Sequence, residues 1–136
     1  MKYFLLTFLL LLLYGCGSVK SMNNCEVISK AIASEKFRDF FKEEIKTSDT
    51  LVVYDGTGNF INCMLPDVLN AKIVKLDFEV KIGESRVITD PKIVLHKFHA
   101  LRERYILYFF YTEINATLEL HYNNKGELVD FKQGVF

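Results

Sequence analysis

The spacing of apolar residues changes once along this chain, and that change restricts it to a helical segment followed by strands. Between residues 25 and 46, Val27, Ile28, Ala31 and Ile32 fall on one face at a period of 3.6. Phe37, Phe40, Phe41 and Ile45 fall on another face, rotated away from the first, with Ser34 between the two sets. The pattern predicts two short helices with Ser34 capping the second, or one helix that breaks there. Asn24 is the expected N-cap, with Glu26 in the first turn complementing the helix dipole. The phenylalanines read as a core stripe. Lys36, Arg38, Asp39, Lys42, Glu43 and Glu44, interleaved with them, read as a solvated face.

From Thr50 the period becomes two. Residues 51–54 and 60–64 flank Asp55-Gly56-Thr57-Gly58-Asn59, whose Gly, Asp and Asn chemistry suits a hairpin loop. In residues 73–82, Val74, Leu76, Phe78, Val80 and Ile82 alternate with charged residues, predicting a strand with one buried face. Gly83-Glu84-Ser85 permits a turn, and Asp90-Pro91 interrupts the chain before a further strand over 92–100. Residues 104–112 differ: Tyr105, Leu107, Phe109 and Tyr111 share one face, and Ile106, Tyr108 and Phe110 share the other. Such a strand needs cover on both sides. Either it is central to the sheet, or its second face lines a cavity or an interface, for which Tyr105, Tyr108, Phe110 and Tyr111 are the candidate residues. Ala116, Leu118, Leu120 and Tyr122 form another one-sided strand, and Asn123-Asn124-Lys125-Gly126 is a strong hairpin signal. The return strand, 127–135, is expected to turn Val129, Phe131 and Val135 to the core. Helix first and strands after predicts an α+β domain, with an N-terminal helix or helix pair packed on a curved antiparallel sheet. In element order it resembles cystatin-like and nuclear-transport-factor-like folds, which cup a cavity between helix and sheet.

The first residues carry a different message. Lys2 precedes an apolar run over residues 3–14. A bilayer-spanning helix takes about 17–25 such residues, so a run of roughly a dozen fits a signal peptide. Leu13-Tyr14-Gly15-Cys16 resembles the lipobox of bacterial lipoproteins, although Tyr14 stands where that pattern prefers a small or β-branched residue. The resemblance covers residues 1–16 and implies removal of 1–15, a diacylglycerol on Cys16, and a location in the cell envelope. Residues 16–24 would then be the lipidated cysteine and a short tether, and residues 25–136 a single globular domain. Gly17 lacks the aspartate associated with inner-membrane retention, which favours the outer membrane in a Gram-negative host.

Removal of 15 residues from 136 would leave 121, enough for one core and too few for two domains. Loss of Lys2 would leave 16 basic against 17 acidic residues, without the basic excess of a nucleic-acid binder. Of three cysteines, Cys16 is taken by lipid in this reading, which leaves Cys25 and Cys63 to pair in an oxidising compartment.

No local pattern specifies catalysis. The loop at Asp55 approaches two enzyme motifs and fits neither. Val53 stands where a haloacid-dehalogenase-type nucleophile would have to be, and Gly56 spoils the Asp-Thr/Ser-Gly spacing of an aspartic protease. His96 and His99, three apart on a strand, are expected on opposite faces, whereas His96 and His121 can meet across the sheet near Glu119 or Glu103. Arg86, Arg102 and Arg104 read as solvated. The expectation is therefore a non-catalytic binding module on the membrane, without metal or cofactor, whose partner is a protein or small molecule and not a nucleic acid. The alternatives are a small envelope hydrolase or ligand-modifying enzyme with its site between helix and sheet, and an inhibitor or immunity-type lipoprotein presenting loop 55–59.

Overall fold

A computed structural model describes residues 21–77 and 92–136 of the chain. Among the described residues three short helices, α1 (Asn24–Ala33), α2 (Glu35–Phe40) and α3 (Lys42–Thr47), precede the strands. The expected N-cap is displaced by one residue. Asn23 caps α1, its side chain accepting from the Glu26 N–H while the Glu26 carboxylate accepts from the Asn23 N–H. Ser34 ends α1 in an extended conformation and caps α2 by accepting from the Phe37 N–H. The break lets the chain turn between its two apolar faces, so that both reach one core. Phe41 separates α2 from α3, and Glu44 of α3 pairs with Lys92 at 3.1 Å, tying the end of the helical segment to the sheet.

The described strands are β1 (Leu51–Asp55), β2 (Ala71–Lys75), β3 (Ile93–Leu101), β4 (Arg104–Tyr111), β5 (Ala116–Asn123) and β6 (Leu128–Val135), in the spatial order 2-1-3-4-5-6. The sheet is mixed and not antiparallel throughout. Strands β3 to β6 form an antiparallel meander, but β1 is parallel to both β2 and β3. The expected hairpin at Asp55 does not form, because residues 60–64 are not a strand. Their backbone is diverted: the Phe60 N–H donates to the Asp55 carboxylate, and the Cys63 N–H to the Phe60 carbonyl. Cys63 is bonded to Cys25 of α1, with Cα atoms 5.2 Å apart. The chain must then travel back along the sheet through a short 3₁₀ turn (Asp67–Leu69) before β2 starts beside Leu51, which makes the pair parallel. Of the expected strand over 73–82, the part to Lys75 is strand in β2; residues 78–82, the turn at 83–85, Arg86 and Asp90-Pro91 lie outside the described residues.

The helices cover one face of the sheet. Val27, Ile28, Ala31, Ile32, Phe37 and Phe41 pack on Leu51, Val53, Ile93, Leu95, Leu107, Phe109, Leu118 and Leu120. Phe37 meets Phe109 edge-on at 5.0 Å, and Phe41 meets Tyr111 at 5.3 Å. Such pairs add about 0.5–1.5 kcal/mol to the value of their buried area. The expectation for β6 is met in direction by Phe131 and Val135 and not by Val129, and all three are exposed. A bulge opposite His121 and Tyr122 inserts Val129 as an extra residue, and Phe131 and Val135 stand opposite Leu120 and Ala116 on the helix-covered side but on β6, the sheet's edge, at the margin of the helical layer. There Lys36 covers the Phe131 ring at 4.5 Å. The hairpin before β6 is tight, with Gly126 at φ +80° pressed so closely on Met22 that a Cβ would come within 2.5 Å of its sulfur.

Candidate functional site

Residues that alternate with the core set on β3, β4, β5 and β6 form the second face of the sheet. One part of it is apolar: Val94 and Phe110 are buried against Tyr54 and Leu76. Beside this cluster lies a groove of about 290 Å³, lined among others by His96, Lys97, Tyr108, Thr117, Glu119 and Lys132. These residues converge for register reasons. Tyr108 stands opposite Glu119, Glu119 opposite Lys132, and Lys97 opposite Tyr108. The ladder of three antiparallel pairs therefore lays an aromatic ring, a carboxylate and two amines in one row.

His96 enters the row through a β-bulge. The pairing steps from Leu95–Phe109 to Lys97–Tyr108, so His96 is inserted without a partner of its own. The bulge also shifts the phase downstream. His99 pairs with Ile106 and rests edge-on against the Tyr108 ring at 5.6 Å. His96 and His99 thus share the second face, contrary to strict alternation, because the extra residue cancels one reversal. Burial and the neighbouring Lys97 ammonium push the His96 imidazole below its ordinary value of 6.5. In the unfolded chain His96 binds a proton near that ordinary value, while in the fold it remains neutral. Its neutral form therefore favours the fold above that value, and stability falls as the pH drops through it toward the folded value. Urea unfolding is expected to show a smaller loss between pH 7 and pH 5 for His96→Gln than for the parent chain.

His121 is 5 % exposed, and its Nε2 contacts the Glu119 carboxylate. Lys132 reaches the same carboxylate oxygen at 3.7 Å. The Nδ1 of His121 is buried and finds no hydrogen-bond partner among the described residues. Glu119 is the shared member: it holds His121 on one side, Lys132 on the other, and lines the groove. Of the expected histidine neighbours, Glu119 is in place, whereas Glu103 sits in the β3–β4 turn. His96 lines the groove and His121 lies beside it. Among the described residues no three His, Cys, Asp or Glu side chains are arranged to hold a metal ion.

The four aromatic residues expected as one interaction surface are divided by the fold. Tyr105 and Tyr111 lie on the helix-covered face and are buried there, Tyr105 donating to the Met22 carbonyl and Tyr111 to Glu113. Phe110 is buried in the small cluster of the second face. Tyr108 alone of the four lines the groove. The structure forms the expected bridge between Cys25 and Cys63. Cys16 lies outside the described residues. No described helix is long and apolar enough to cross a membrane. The chain matches no protein-family model, no curated protein and no solved structure.

Proposed function

We propose that this chain is a bacterial envelope lipoprotein, held to the membrane by lipid on Cys16, whose domain is a non-catalytic binding module working through the second face of its sheet. The observation that carries this reading is the asymmetry of the sheet: one face is packed under three helices, and the other bears the groove centred on Tyr108, Glu119 and Lys132. A half-exposed tyrosine with flanking charges of both signs suits contact with a polar partner. The disulfide fits the oxidising compartment that export would supply.

The rival readings have less in their favour. A cystatin-like or nuclear-transport-factor-like cup would open a site between helix and sheet, but that space is occupied by the rings of Phe37, Phe41, Phe109 and Tyr111. Glu119 and His121 could exchange a proton, yet the imidazole is buried beside the groove rather than lining it. An inhibitor's loop at 55–59 would present its backbone outward, whereas the N–H groups of Thr57 and Gly58 are turned in to Asp55.

Cross-linking and co-purification from native membranes tests the proposal. Tyr108→Ala and Lys132→Glu are expected to reduce recovery of a stoichiometric partner roughly tenfold, the size of a modest hot spot. Arg38→Ala, on the exposed side of α2, is the control. Equal recovery with all three variants would remove the second face from the binding surface. Cys16→Ala is expected to release the chain from the membrane, with an intact mass lacking the acyl groups.

A further inference from the structure

We propose that the pole of the domain from which the tether leaves is a membrane-docking surface, with Met64 and Leu101 entering the headgroup region of a phospholipid bilayer; this rests on the reading of Cys16 as the lipid anchor. Four elements meet at that pole. The chain enters the domain there at Met22, which is fixed in place: its carbonyl accepts from the Tyr105 hydroxyl, and Gly126 of the β5–β6 turn abuts its sulfur. Tyr105 is the second residue of β4, so the β3–β4 turn with Leu101 lies at the same end. The Cys25–Cys63 bridge brings the loop after β1 to the start of α1 and places Met64 one residue from the bridge. Phe60 of that loop meets Phe98 at 4.8 Å, and Phe98 in turn stacks on Tyr105, closing the ring of contacts.

Three large apolar side chains stand exposed on this assembly. Met64 is 92 % exposed, Leu101 56 % and Ile61 40 %. Large apolar side chains so placed fill nothing in the fold, and insertion at an interface is one use that recovers their burial. Arg102, Arg104 and Lys125 are exposed around them, with Glu26, Glu103 and Glu127 as the acidic neighbours. Glu103 between the two arginines and the hydrogen-bonded Glu26 and Glu127 balance the three cations, so the pole has no basic excess, but the exposed Arg102 and Arg104 beside Leu101 are in position to reach lipid phosphates.

Chain length selects the bilayer as the occupant. Four residues separate Cys16 from Ser21, so a fully extended path spans at most about 18 Å from the lipidated cysteine. The pole fixed to Met22 is held within reach of the interface, where a weak insertion works at high effective concentration. The opposite pole also carries bare apolar residues, Val68 at 88 % exposure and, at the ends of β5 and β6, Ile114, Val135 and Phe136, so it is the tether and not apolar content that distinguishes the two. Val68 lies in the 3₁₀ turn that leads to Asn70, beside Leu51 at the far end of β1. The two poles therefore make different predictions for residues of similar exposure.

The chain has no tryptophan, so a single introduced indole reports without background. Full-length Met64→Trp, Leu101→Trp and Val68→Trp, purified from membranes, are reconstituted into phosphatidylcholine/phosphatidylglycerol vesicles with or without dibrominated phosphatidylcholine. Intact mass of each sample records the lipid on Cys16. The expected result is blue-shifted emission and roughly twofold or greater quenching for Met64→Trp and Leu101→Trp, with Val68→Trp unquenched. If all three are quenched alike, or none is, while the mass shows the lipid, docking is overturned and the anchor stands. Quenching confined to the two tip positions in a chain whose mass shows no lipid would sustain docking and overturn the anchor. Absence of both removes both.

Discussion

Replacing Asp55 with alanine is expected to lower the stability of the domain by about 3–5 kcal/mol, a large part of the 5–15 kcal/mol that holds an ordinary domain together. Asp55 ends β1 and is 1 % exposed, yet its carboxylate has four donors around it. Oδ1 accepts from the Thr57 N–H at 2.9 Å, the Thr57 hydroxyl at 2.7 Å and the Gly58 N–H at 3.2 Å; Oδ2 accepts from the Phe60 N–H at 2.8 Å. Charge-assisted bonds of this kind are about twice as strong as neutral ones, and together they offset the desolvation of the carboxylate. Alanine would leave the buried Phe60 N–H without an acceptor and free loop 56–60 to rearrange, drawing Phe60 away from Phe98. Asp55→Asn keeps the volume and one acceptor but turns an NH₂ group toward N–H donors, so about half the loss is expected. Urea unfolding of the three chains decides this. A loss below about 1 kcal/mol for the alanine variant would mean that the loop is held by its other contacts.

Asp55 also illustrates how far the sequence was legible. Composition and spacing mark residues 55–59 as a turn, and a turn is what forms. A hairpin, however, needs residues 60–64 to pair with β1, and apolar content alone cannot distinguish a strand from a loop pinned by one carboxylate and one disulfide. The parallel pairing of β1 with both neighbours follows from that diversion, so it was hidden for the same reason. The helices were readable because their signals are local: the phase shift at Ser34 is a matter of spacing, and the cap is a single hydroxyl.

The groove was hidden by bulges. Strict alternation assigns His96 and His99 to opposite faces and sends Val129, Phe131 and Val135 to the core. One inserted residue in β3 changes the phase of the histidines; in β6 the inserted residue is Val129 itself, while Phe131 and Val135 keep the core side and are exposed because β6 is the edge strand. The link between Glu119 and His121 was accessible, since residues two apart on a strand share a face. That Lys132 would join them depended on the β5–β6 register, which the position of Asn123-Asn124-Lys125-Gly126 constrains only to within a residue. The division of Tyr105 and Tyr111 from Tyr108 was visible as alternation; which face would be covered was not, because either face of β4 is apolar enough to meet the helices.

Loss of the Cys25–Cys63 bridge is the second large effect, expected at about 4 kcal/mol. The bridge joins residues 38 apart, and in the chain-entropy model closing a loop of that size in the unfolded state removes freedom of that order. For a domain of this length the Cys25→Ser/Cys63→Ser variant is expected to melt roughly 12–20 °C below the parent chain by calorimetry. It should still fold, since Val27, Ile28, Ala31 and Ile32 remain buried against the sheet without help from the bridge. The local consequence is more informative than the shift itself. Asp55 and the bridge hold the two ends of segment 56–63, so each limits what the other's loss can release. Combining Asp55→Ala with the double serine variant should therefore depart from the sum of the separate losses by about 0.5 kcal/mol or more. Additivity within about 0.3 kcal/mol would show two independent fastenings. If segment 56–63 does act as one unit, loosening it detaches Met64 from the start of α1, and the indole of Met64→Trp should lose its quenching by brominated lipid when the serines are introduced, while that of Leu101→Trp, carried by the β3–β4 turn, is kept.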